Sequence, residues 1–269
     1  MPRQVGTLLW KNMNLCIVKH SCKQMTSMLL NNLDEAYNYD HIYLAPHPDD
    51  AALSCGGAIA CRHLKGERQL VVTLCSAIPS TAELYWRQRL EEDKRALGVL
   101  GADRLLGGFL DAPFRHPTYE QENCLFASPE TNDSMQKDVE QLLAAIAEQN
   151  RQAKFYVPLG VGSHVDHLIT YDAAQTITHV TAIHFYEDFP YTAKNPNALE
   201  VRLAALNDNF TVVDTDVRHC FLKKAEAVAQ YTSQVHFLFG NFDTALQALI
   251  QEGQRVLPGA LGERCWILM

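Results

Sequence analysis

Two short runs concentrate the residues able to do chemistry in this 269-residue chain: His47-Pro48-Asp49-Asp50 and His164-Val165-Asp166-His167. An imidazole and two carboxylates crowded into four residues are costly, because neighbouring carboxylates raise each other's pKa unless a cation lies between them. His47 and Asp50 stand three apart where the chain turns into a helix, so both can converge on one ion. Asp49 then points elsewhere, within reach of a water that such an ion activates. The second run can add a further neutral nitrogen ligand. Two histidines and one carboxylate with an open position form the ligand set of a catalytic zinc site, and the same set suits ferrous iron. Asp166 is placed to hold a histidine by its second ring nitrogen. Each run alone has a plainer explanation, either Asp49 or Asp50 capping a helix or two surface histidines near a helix start. The pair of runs, each past the end of a strand-like segment, favours one shared site.

The elements that must position these runs follow from the apolar pattern. Short apolar runs at 41–46, 69–75, 104–110, 154–160 and 181–187 have the length and the β-branched or aromatic content of buried strands. Helical segments are expected at about 54–65, 81–100, 134–149, 165–179, 219–232 and 242–256. Strands alternating with helices predict a single-domain, Rossmann-like α/β fold with a mostly parallel sheet flanked by helices. In such sheets ligands bind past the carboxyl ends of strands, which is where both runs fall. Residues 111–133, rich in Pro, Thr, Asn, Glu and Ser, read as a long loop of the kind that usually serves function, and 188–198 reads as another.

Composition narrows the partners. A formal net charge of −8 and the absence of a basic run argue against capture of nucleic acid or anionic membrane. The eight cysteines are scattered, form no C-x-x-C pair, and lie in a chain too long to need disulfide staples. They are expected to be small buried residues in a protein of the reducing cytoplasm. The first stretch is broken by Lys11, Asn12 and Asn14, a poor signal or anchor. Met25 and Met28 precede the organised pattern, so residues 1–35 are expected to be a loosely attached extension and 36–269 the domain.

With these residues in place, the chain resembles the PIG-L/LmbE-like family of metal-dependent N-acetylglucosaminyl deacetylases. The resemblance rests on Ala45-Pro46-His47-Pro48-Asp49-Asp50 followed by His164-x-Asp166-His167. Secondary agreement runs through Arg89-x-x-Glu92, Ala96-Leu97 with Leu100-Gly101, Gly108-Phe109-Leu110-Asp111, and Tyr231-Thr232-Ser233-Gln234, spanning about 40–235. It implies that His47, Asp50 and His167 bind zinc and that Asp49 is the general base. It further implies that His164, held by Asp166, stabilises an oxyanion or protonates the leaving amine, with Arg89 and Asp111 facing substrate hydroxyls or phosphate. The implied substrate is a small N-acetylated sugar conjugate, and a homo-oligomer is compatible with it. One position departs from the pattern. Some family deacetylases carry a tyrosine two residues before H-x-D-H, where this chain has Gly162, and Tyr186 is the candidate to replace it.

Three other readings compete. A non-catalytic sugar- or nucleotide-binding module would hold a structural metal with a fourth protein ligand. A hydrolase of another acyl-amide or of a phosphoester would keep the site and change the bond. A dinucleotide enzyme is the weakest, since Ser54-Cys55-Gly56-Gly57 lacks the G-x-G-x-x-G spacing.

Overall fold

The computed structural model describes residues 38–269, so the whole of the expected 1–35 extension lies outside the described residues. Seven strands form one sheet: β1 (His41–Ala45), β2 (Gln69–Cys75), β3 (Asp103–Phe109), β4 (Lys154–Pro158), β5 (Ile183–Tyr186), β6 (Phe210–Asp216) and β7 (Gly262–Leu268). Their order is β3-β2-β1-β4-β5-β7-β6. The first five are parallel, and β7 and β6 complete the sheet antiparallel. From β1 the chain builds outward through β2 and β3, then returns to start β4 on the other side of β1. That reversal opens a crevice between the carboxyl ends of β1 and β4, the usual binding place in an open α/β sheet.

Eleven α-helical segments lie among the described residues: α1 (Asp50–His63), α2 (Glu83–Leu100), α3 (Ala112–Arg115), α4 (Glu122–Leu125), α5 (Met135–Gln149), α6 (Val165–Ala174), α7 (Tyr191–Lys194), α8 (Ala198–Leu206), α9 (Phe221–Val228), α10 (Thr232–Phe239) and α11 (Phe242–Val256). Strand alternation sends Ile42, Leu44, Phe155 and Val157 to one face, where Val139, Leu143, Ile146 and Ile169 of α5 and α6 cover them. Tyr43, Ala45 and Tyr156 point to the other face, against Ala52, Cys55, Ile59, Ala96 and Leu97 of α1 and α2. The result is three layers, with both faces of β1 and β4 buried as parallel strands require. Helix α2 stops at Gly101, whose φ of 74° lets the Ala102 N–H reach back to the Leu97 carbonyl at 3.1 Å.

Several expectations need correction. Helix α1 starts at Asp50 rather than near 54, so the first histidine–aspartate run leads straight into it. The predicted 219–232 helix is the shorter α9, and α8, α10, β6 and β7 are additional. The 111–133 loop carries α3, α4 and a 3-10 turn at Pro117–Glu120. Cys55 and Cys75 are buried thiols as expected. Cys61 and Cys220 are instead joined in a disulfide, because α9 packs on α1 and brings their Cα atoms to 5.6 Å. No helix among the described residues is long and apolar enough to cross a membrane.

Candidate active site

The turn from β1 into α1 sets the first half of the site. Asp49 occupies the cap position of α1, yet its side chain makes no capping hydrogen bond and its φ is 110°. A non-glycine residue in that region is strained, and strain of this kind clusters where function requires it. The capping explanation for Asp49 is therefore not what the chain adopts. Asp50 is spent differently: its Oδ2 accepts the His47 backbone N–H at 2.7 Å, closing the turn. The same oxygen lies 3.3 Å from His47 Nδ1 and 3.4 Å from His167 Nε2.

The far nitrogens of those two rings explain what faces Asp50. His47 Nε2 is 3.0 Å from Asp166 Oδ2, and His167 Nδ1 is 2.6 Å from Asp188 Oδ1. With the far nitrogen of each ring held by its own buried carboxylate, the near nitrogen is aimed at the Asp50 oxygen. His167 Nε2 is buried without any hydrogen-bond partner. Nitrogens so aimed at a buried carboxylate need a positive charge between them, ring protons in the metal-free protein or a divalent metal that displaces those protons, so these residues fit such a metal. Ring nitrogens of His47, His164 and His167 also come within 4.8 Å of one another.

Burial disfavours the charged forms of His47 and His167, but carboxylates outweigh it. Asp111, Asp166 and Asp50 hold His47 well above the ordinary histidine range, and Asp50 and Asp188 raise His167 to about 9. Asp50 is held well below the usual carboxylate range against its burial by His167 and His47. Asp49 goes the other way. Burial and then the Asp50 charge lift it to about 7, against the pull of Arg89 and His47. His164 is pushed down to about 3 by burial and by the His47 charge.

The eight residues assigned above as ligands, base, oxyanion or amine partner, its support, and substrate contacts meet here, with one change of partner. Asp166 does not hold His164 by its side chain. Its carboxylate takes His47, while its backbone N–H donates to His164 Nδ1 at 3.3 Å. Arg89 lies beside Asp49, Nη2 to Oδ2 3.8 Å, and donates to the Pro48 carbonyl at 3.1 Å while stacking on Trp86. Asp111 Oδ1 is 3.5 Å from His47 Nε2. Tyr186 is not the missing tyrosine, since it is fully buried and its hydroxyl is bound to the Leu44 carbonyl at 2.8 Å. Tyr191 is the tyrosine that packs against Gly162. A Cβ on Gly162 would sit 2.7 Å from the Tyr191 ring, and that ring stands edge-on to His167 with centroids 5.6 Å apart. Phe126, from the 111–133 loop, lies edge-on to His164 at 5.4 Å.

Asp188, Arg115 and Tyr191 were missed. Asp188 had a readable signal, a carboxylate just past the end of β5, which is the criterion that exposed the other two runs. The two backbone N–H groups of Gly160 and Val161 complete its hydrogen bonding at 2.9 and 2.8 Å. Arg115 and Tyr191 lie in irregular stretches where periodicity says nothing.

Comparison with known proteins agrees with this geometry. The family model PIG-L, described as GlcNAc-PI de-N-acetylase, matches residues 42–178. A 2′-N-acetylparomamine deacetylase from Streptomyces fradiae is 30% identical over 164 residues, covering 57% of this chain and 58% of that relative's length. The chain thus spans well under two thirds of the curated relative it matches. The zinc-inhibited form of teicoplanin deacetylase Orf2 is similar at 25% identity and a TM-score of 0.71, covering 85% of this chain and 97% of that one. A deacetylase–teicoplanin complex is similar at 25% identity and a TM-score of 0.67, with the same coverage. The matched region takes in both histidine–aspartate runs and just over half of the sequence, and the chain belongs to the PIG-L family.

Proposed function

We propose that the protein is a zinc-dependent hydrolase that removes the acetyl group from a small N-acetylated sugar conjugate. The observation that carries this is the pair of imidazoles, each pinned at one nitrogen by a buried carboxylate and turned at the other towards Asp50. His47, Asp50 and His167 would hold the ion. The similar proteins named above are deacetylases, one of 2′-N-acetylparomamine and others of teicoplanin biosynthesis, which supports the amide target. The two-nitrogen, one-oxygen donor set suits zinc and also admits ferrous iron.

When bound, the ion supplies Lewis acidity, polarising the amide carbonyl and making water acidic enough to attack at neutral pH. Asp49 accepts a proton from the attacking water, for which a carboxylate poised near neutrality is well matched. Arg89 fixes the Asp49 turn through the Pro48 carbonyl and offers the approaching substrate a cationic wall. The Asp166 N–H occupies His164 Nδ1, so the His164 proton rides on Nε2. A buried neutral imidazole is a hydrogen-bond donor to the oxyanion, worth ~3 kcal/mol for one such donor. Asp49 then returns its proton to the leaving nitrogen, releasing a free amine and acetate.

The test is metal analysis of the purified chain together with acetate release from a panel of N-acetylglucosamine conjugates. About one zinc per chain with acetate release from at least one conjugate is expected. A stoichiometric metal without release from any conjugate would replace this reading with the binding module.

A further inference from the structure

The Asp166 carboxylate does not face His47 alone. Its Oδ1 accepts from Arg115 Nη2 at 2.6 Å, and its Oδ2 accepts the Ala112 N–H at 3.2 Å besides lying 3.0 Å from His47 Nε2. The same guanidinium forks onto Asp133, with Nε to Oδ1 at 2.9 Å and Nη2 to Oδ2 at 2.9 Å, and donates through Nη1 to the Leu110 carbonyl at 2.6 Å. Asp166 and Asp133 are almost completely buried, and the Arg115 side chain is only 13% exposed. Arg115 therefore bridges three distant points: the end of β3, the start of α5 and the carboxylate behind the His47 ring.

We propose that Arg115 is a positioning residue for the metal site, acting through Asp166 to hold His47 in the tautomer and orientation that aim Nδ1 at the ion. The hydrogen-bond geometry shows how. Arg115 Nη2 on Oδ1 and the Ala112 N–H on Oδ2 fix the Asp166 carboxylate in the orientation that sets Oδ2 against His47 Nε2. An acceptor fixed at Nε2 keeps a ring proton there and turns Nδ1 towards the ion. A planar fork also does what an ammonium cannot, since it grips Asp133 with two donors while keeping one on Asp166. The grip on Asp133 closes the 111–133 segment, which carries Phe126 to the edge of His164, so one guanidinium orders both a metal ligand and the rim above it.

This inference rests on the metal reading given above, and zinc binding in the absence of substrate separates the two. Metal-free wild type, Arg115→Met, Arg115→Lys, Asp166→Asn and the double variant Arg115→Met/Asp166→Asn are titrated with zinc in competition with a chromophoric chelator. Loss of an outer-shell partner typically weakens metal binding about 10–100-fold. Arg115→Met is expected to weaken zinc at least ~10-fold, with Arg115→Lys intermediate and readable if the methionine variant does not fold. On the Asp166→Asn background the further loss from Arg115→Met should vanish, because the two side chains act in series. Zinc affinity equal to wild type in Arg115→Met or Arg115→Lys, or an undiminished loss on the Asp166→Asn background, overturns the proposal while leaving deacetylation intact. A wild-type chain that binds no zinc overturns both.

Discussion

Asp49 is held in a conformation that only a demanding neighbourhood would impose. Its φ of 110° places a β-carbon where the backbone resists one, and it gains no capping bond in return. It is 5% exposed, next to Asp50, and 3.8 Å from Arg89. A carboxylate so placed suits the base role proposed for it. Asp49→Asn preserves size and polarity but abolishes basicity. It is expected to keep zinc stoichiometry at the wild-type level while lowering kcat by roughly 10²–10⁴-fold, the usual worth of a general base. Metal content and steady-state kinetics on one preparation check this, and near-normal turnover would remove Asp49 from the base role. At this scale the sequence was informative about residue types and blind to pairing. Crowded carboxylates and histidines announced an ion, yet which carboxylate backs which ring depended on side-chain directions across β1, β4 and β5. Asp166 consequently went to His47, and His167 found Asp188.

At the scale of elements, β1, β2, β4 and β5 were legible because both their faces are buried and their apolar runs are continuous, and the edge strand β3, buried at alternate residues, was legible from its short apolar run. β6 was not, since its exterior is open on a sheet edge, with Val212 and Val213 40% and 36% exposed. The irregular stretches hid the most. The turn from β4 to α6 depends on Gly162, at φ 87°, lying flat against the Tyr191 ring of α7. Neither the sign of φ nor the contact is written in an apolar pattern. Gly162→Ala meets both obstacles at once. The left-handed backbone alone costs an alanine about 1–2 kcal/mol, and the added methyl pushes on the ring beside His167. The variant is therefore expected to unfold at lower urea by at least that amount and to lose kcat/KM as Tyr191 shifts. On a Tyr191→Ala background the further loss from Gly162→Ala should be smaller, since the steric component disappears with the ring. A Gly162→Ala protein with wild-type urea stability would show that the turn relaxes and that the close approach is unimportant.

The whole molecule stores its affinity for metal as an electrostatic arrangement, and this sets how it should respond to pH. In the metal-free protein His47 lies well above the ordinary histidine range and His167 near 9, both held there by ionised carboxylates after overcoming burial. A histidine raised on folding contributes stability that is complete below its unfolded pKa of about 6.5 and is lost as pH climbs through the folded value. The metal-free chain should accordingly lose this contribution between about pH 6.5 and 9. Zinc reverses the trend, because it must displace those same protons before it can bind. Its apparent affinity should rise with pH over that window, by about tenfold per unit for each proton released. Ligand binding stabilises the fold in proportion to the logarithm of affinity, so the rise in Tm on adding zinc should widen from about pH 6.5 towards 9. Thermal unfolding with zinc and with a chelator, repeated across that range, measures the difference directly. A zinc-induced shift that stayed flat would mean that the rings facing Asp50 are already neutral without metal, and that the carboxylates behind them do not set their charge.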